Sequence, residues 1–86
     1  MLQELGDNRD AVALRLIRVR EVLGYDQKSF AEKAGLLPQT YGPYETAKRE
    51  LTLTSAKLLR KAYGIPLDFL FFGKTDDLPQ RIAAHL

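Results

Sequence analysis

Gln27-Lys28-Ser29-Phe30-Ala31-Glu32-Lys33-Ala34-Gly35-Leu36-Leu37-Pro38-Gln39-Thr40-Tyr41-Gly42-Pro43-Tyr44 is the stretch on which the fold turns. It reads as two short helices around a tight turn. Asp26, just ahead of it, is a good N-cap, because its carboxylate can accept from the free amides of a first helical turn. Phe30, Ala31 and Ala34 share one face, so a helix is expected from Gln27 to about Ala34. Gly35 can take the left-handed conformation that stops it. Pro38 suits a first helical position, where its missing amide would be unpaired anyway. A second helix is therefore expected from Pro38 to about Tyr44. Its start is weaker than the one at Asp26, since Leu37 stands where Ser or Thr would cap better. Such a unit needs a small residue where the helices cross, a turn-former and apolar anchors. Ala31, Gly35 and the trio Phe30, Leu36 and Tyr41 meet those needs.

Outward from this unit, glycine and proline mark further short helical patterns. A helix from about Asp10 to Leu23 has Asp10 as its expected cap. Val12, Leu16, Val19 and Leu23 form its inward stripe, with Arg15 and Arg18 off it. Gly24 ends it. A helix from Leu53 to Tyr63 is capped by Thr52, buries Ala56, Leu59, Ala62 and Tyr63, and stops at Gly64. A short one spans Leu67 to Phe72 and stops at Gly73. Residues 78–86 read either as one or two final helical turns or as a partner-binding tail. Strand signals are poor throughout: β-branched residues are scattered and no Asn-Gly or Asp-Gly turn occurs. The expected fold is an all-α, compact five-helix bundle over residues 10–73, with an N-terminal extension (1–9) and a C-terminal tail (74–86).

Composition narrows the function classes. Eighty-six residues leave room for one core, and a small one, so dimerisation is a natural source of added stability. A chain that is 45% hydrophobic and 28% charged reads as globular. It has no cysteine, which excludes disulfides, thiol metal sites and thiol nucleophiles. No apolar run is long enough to span a bilayer. Met1 to Asp7 lacks the basic-then-apolar order of a signal peptide. A cytoplasmic location without membrane contact is expected. The sole histidine, His85, stands at the chain end, so a Ser-His-Asp set is excluded. There is neither a Gly-rich phosphate loop nor a carboxylate pair of catalytic kind. No catalytic residue, metal, cofactor or small-molecule ligand is expected. Net charge is +2, but its distribution is uneven. Between Tyr44 and Tyr63, Lys48, Arg49, Lys57, Arg60 and Lys61 face only Glu45 and Glu50, whereas the tail is slightly acidic.

At these residues the chain resembles a known family. Gln27 to Leu36, then Tyr44-Glu45, then Lys48-Arg49-Glu50, are similar to the phage-repressor (Cro/repressor, or xenobiotic-response-element) type of helix-turn-helix domain. Tyr63 to Gly73 resembles that family's closing helix. The likeness covers about Asp10 to Gly73. It implies double-stranded DNA as partner and a small transcriptional regulator, usually paired on a two-fold site, as the function. It also implies roles by position. Gln27, with Lys28 beside it, would meet a phosphate at the amino end of the first helix of the unit. Pro38, Gln39, Thr40, Gly42 and Pro43 would lie on the recognition helix in the major groove. Gln can pair with adenine there, and Thr can use hydroxyl or methyl. Lys48 and Arg49 would contact the DNA backbone. Arg20 and Glu45 match an ion pair tying the first helix to the end of the recognition helix.

The chain departs from the family at Gly42 and Pro43, where long polar side chains are common. Gly has nothing to read with. Pro removes the amide that would bond to the Gln39 carbonyl, so the recognition helix is expected to be short, kinked or partly 3₁₀. Two readings follow. Either base readout falls on Gln39 and Thr40 and leans on DNA shape, or DNA binding is lost and the fold serves as a protein-interaction or antitoxin-like module, a reading favoured by an expected exposed apolar run from Leu67 to Phe72 and by the tail ending at Leu86.

Overall fold

The computed structural model describes residues 8–85, and among them helices follow one another without a strand. They are α1 (Arg9–Leu23), α2 (Gln27–Lys33), α3 (Pro38–Glu45), α4 (Leu53–Tyr63), α5 (Leu67–Phe72) and α6 (Gln80–Ala83). Residues 1–7 lie outside the described residues, as does Leu86. The reading of Met1 to Asp7, and most of the expected N-terminal extension, fall there.

The helix ends follow local chemistry. Asp26 accepts from the Ser29 amide at 2.7 Å and Thr52 from the Ser55 amide at 3.1 Å, as expected of caps. At α1 the expectation is corrected: Asn8 is the cap, accepting from the Ala11 amide at 2.9 Å. Asp10 falls inside the first turn instead, where its charge suits the positive end of the helix dipole. Gly35 has φ +82°, and nothing lies within 4 Å of the place where a Cβ would stand. Handedness, not space, is what demands glycine there. Pro38 opens α3 as expected, and Leu37 before it makes no side-chain capping bond.

α3 also corrects an expectation. It runs as unbroken α-helix through Pro43 to Glu45, with no 3₁₀ stretch. In a helix this short, Pro43 costs a single bond, the one to the Gln39 carbonyl. Tyr41 and Tyr44 hold both sides of that gap in the core.

α1 packs against α3, α5 and α6, α2 against α3, and α4 against α5. Leu16, Val19, Phe30, Ala31, Tyr41, Ala56, Leu59, Ile65, Leu70 and Ile82 are all fully buried. Burial of each large aliphatic or aromatic side chain contributes about 1.5–3 kcal/mol. An aromatic cluster sits at the centre. Phe30 stacks on Tyr63 at 4.5 Å and meets Tyr41 edge-on at 5.4 Å. The Tyr63 hydroxyl donates to the Phe30 carbonyl at 2.7 Å, and burial pushes that phenol up to about 12.

Two further expectations are corrected. Arg15 is buried, and its Nη1 donates to the Leu70 carbonyl at 3.1 Å, so it belongs to the α1–α5 contact. Leu67 to Phe72 is not an exposed apolar run. Phe69 and Leu70 are buried, Leu67 and Phe71 half-buried, and of the apolar residues of the run Phe72 alone is exposed. Beyond Gly73 the chain returns to the core. Leu78 and Ile82 are buried, and Arg81 donates to the Tyr63 carbonyl at the end of α4. No described helix is long and apolar enough to cross a membrane.

Candidate nucleic-acid interface

α3 is half core element and half surface. Tyr41, Tyr44 and Glu45, at helical spacing, face inward. Gln39 is exposed, and Pro38, Thr40, Gly42 and Pro43 are half-exposed. At 100° per residue, Gln39, Gly42 and Pro43 form the face opposite the buried one. The outer surface of α3 is thus a narrow rod with one long polar side chain, Gln39, on its first turn.

The rod is held by one buried carboxylate. Glu45 accepts from Arg20 Nε at 2.7 Å and from Arg20 Nη2 at 3.1 Å. It also accepts from the Tyr41 hydroxyl and from Gln27 Nε2 at 2.8 Å. Arg20 in turn donates to the Tyr25 carbonyl at 3.0 Å, fixing the loop ahead of α2. The expected Arg20–Glu45 pair is therefore present, with the Glu45 side chain only 1% exposed. The hydrogen bond to Glu45 is the main cause that raises the Arg20 pKa, so the guanidinium stays charged. Burial, then the bond to Glu45, pushes the Tyr41 phenol upward, so it remains a donor.

Gln27 plays a part that the sequence did not reveal. It is exposed at the head of α2, yet its amide nitrogen is committed to Glu45. Its Oε1 lies 3.8 Å from where a Cβ of Gly42 would stand. The head of α2 and the middle of α3 therefore form one continuous surface. Lys28 is exposed beside it. A Glu four residues past a buried Tyr is too common a pattern to announce this link.

The α3–α4 loop carries the cations. The Pro43 carbonyl accepts from the amides of Lys48 at 3.0 Å and Arg49 at 3.3 Å, and from the Thr46 hydroxyl at 3.3 Å. Ala47 turns left-handed, φ 62°, to allow this. The side chains of Lys48 and Arg49 are exposed as a result. The head of α2 at Gln27 thus adjoins the middle of α3, and the loop of Lys48 and Arg49 folds back on the end of α3 at Pro43. The arrangement offers amides and cations to a polyanion, and a thin rod between them.

The family comparison agrees with this geometry. The helix-turn-helix family matches residues 16–70, from within α1 through Leu70 in α5. A similar protein is the SPbeta prophage-derived uncharacterized HTH-type transcriptional regulator YonR of Bacillus subtilis (strain 168). It is 37% identical over 59 residues, which are 69% of this chain and 55% of that protein. The chain thus spans about half the length of the relative it matches. No solved structure matches the chain significantly. Since the family match takes in more than half of the sequence, from α1 to α5, the chain belongs to the helix-turn-helix family, as a phage-repressor-like domain.

Proposed function

We propose that this protein is a DNA-binding transcriptional regulator, not an enzyme, that reads double-stranded DNA by laying α3 in the major groove. The observation that carries the proposal is the exposed rod of α3 anchored by the Arg20–Glu45 pair and flanked by Lys48 and Arg49. A groove about 12 Å wide admits one helix, and backbone cations on its rim set register. Gln39 and Thr40 are assigned to base edges. Gln27, Lys28, Lys48 and Arg49 are assigned to phosphates, and Pro38, Gly42 and Pro43 to close approach of the helix itself. The similarity to a Bacillus protein described as an HTH-type transcriptional regulator supports the same reading. A cytoplasmic homodimer on a two-fold site completes it, because one such domain touches too few base pairs for high affinity. The alternative of a protein-interaction module drew on Leu67 to Phe72 and on the tail. Burial of Phe69, Leu70, Leu78 and Ile82 takes away most of that support.

Selection from random duplexes, followed by titration across salt concentrations, tests the proposal. Affinity should fall log-linearly with salt. Replacing both Lys48 and Arg49 with Ala should weaken all sequences alike and reduce the salt slope by about 2. Gln39→Ala should change preference at one base pair, by about 1–3 kcal/mol. An affinity that stays flat in salt, or two variants with the same profile, would refute this division of roles.

A further inference from the structure

Leu37 is 61% exposed at the head of α3, directly before Pro38 and two residues before Gln39. Two features make it unusual. Its neighbour Leu36 is buried and already anchors the turn, so Leu37 is not needed for packing. It also occupies the N-cap, with φ −73° and ψ 139°, and offers no side-chain acceptor to α3. Ser, Thr, Asn or Asp would stabilise that position better and expose no apolar surface. A residue that forgoes both cap and burial is a candidate for function, because local rules are broken most often where function demands it.

The place of Leu37 indicates what it meets. Other large apolar side chains are exposed, namely Leu14 on α1, Leu53 on α4 and Phe72 on α5. None of those belongs to α3 or to its cap. Leu37 stands next to Gln39, the one long polar side chain on the outer face of α3. The later turn of that face, Gly42 and Pro43, has little to read with, so recognition concentrates at the amino end. The major groove carries one apolar feature that distinguishes bases, the thymine 5-methyl group.

We propose that Leu37 is a specificity-determining residue that packs on a thymine 5-methyl group, at a base pair adjacent to the one read by Gln39. This rests on the proposed DNA-binding function. The contact takes one methyl group out of water, which corresponds to an affinity difference of about fourfold between thymine and uracil.

The test uses the full chain and the duplex recovered by selection. Each thymine is replaced in turn by uracil, which lacks only the methyl group, and affinities are measured for the native protein and for Leu37→Ser. Uracil should weaken native binding about fourfold at one position per half-site. Leu37→Ser should bind the thymine and uracil duplexes alike, with an unchanged salt slope. Its melting temperature should be no lower, since Ser caps α3. If the native protein never distinguishes uracil from thymine, the proposal fails while the DNA-binding reading survives. Discrimination that persists in Leu37→Ser overturns it too, by giving the methyl contact to another residue. If Leu37→Ser turns a native dimer into a monomer without DNA, Leu37 is a protein contact and the proposal falls. Absence of binding to any DNA removes the proposal together with the function it rests on.

Discussion

Glu45 joins Arg20 of α1, Gln27 of α2 and Tyr41 of α3 through one carboxylate. A buried pair of this kind adds little net stability against an apolar substitute, but it defines a single arrangement. Here the arrangement is the angle at which α3 leaves the core. Two residues beyond Glu45, Ala47 does the opposite and stores strain. Its φ of 62° lies in the left-handed region, which costs a side-chain-bearing residue about 1–2 kcal/mol. The Lys48 and Arg49 amides on the Pro43 carbonyl hold it there. Glycine would relieve the strain but gains about 0.5–1 kcal/mol of freedom in the unfolded chain. Ala47→Gly should therefore stabilise the protein by a net of about 0.5–1 kcal/mol. In urea titration the midpoint should rise with an unchanged slope. A lower midpoint would mean that the Ala47 methyl packs favourably enough to outweigh the strain.

At the scale of the element, α2 shows how a helix start becomes a pH-dependent term. The Asp26 carboxylate accepts from the Ser29 amide, and this bond holds its pKa below the usual 3.8. The folded state thus binds fewer protons at this group than the unfolded one. Its contribution is complete above the unfolded pKa and is lost as pH falls through the folded value. Asn caps as well as Asp but does not titrate in this range. Asp26→Asn should match the native melting temperature at pH 7 and lose less stability than the native chain below pH 4. Acid titration curves that superimpose would exclude this role. Caps of this sort were legible in the sequence. Asp26, Thr52 and the glycines after α4 and α5 mark ends by chemistry that acts within a few residues. Periodicity gave the inward faces of α2 and α4 for the same reason. Arg15 could not be read this way, because its burial depends on a carbonyl 55 residues away. Nor could Gln27, whose partner Glu45 is brought near by the packing of α2 on α3. For the candidate site, residue types were legible, whereas the links that aim them were not.

For the molecule as a whole, the core extends past the stretch that matches the family. That match ends at residue 70, yet Leu78 and Ile82 are buried and α6 rests on α1. Arg81 reaches the Tyr63 carbonyl, where the negative end of the α4 dipole favours a cation. A fold of this size has only a few kcal/mol of net stability, because its surface is large relative to its core. Truncating one fully buried Ile to Ala costs about 2–5 kcal/mol. Ile82 is 0% exposed, so Ile82→Ala should lower the melting temperature by roughly 10 °C or more, at about 4–8 °C per kcal/mol for a domain of this size. Ending the chain at Gly73 removes Leu78, Ile82 and the Arg81 bond together, and should leave no cooperative melt at 37 °C. Circular dichroism on heating separates the outcomes. If the chain ending at Gly73 melts like the full one, the terminal segment is an appendage. If it does not, residues 78–82 complete the hydrophobic core, and the body that holds α3 in place includes them.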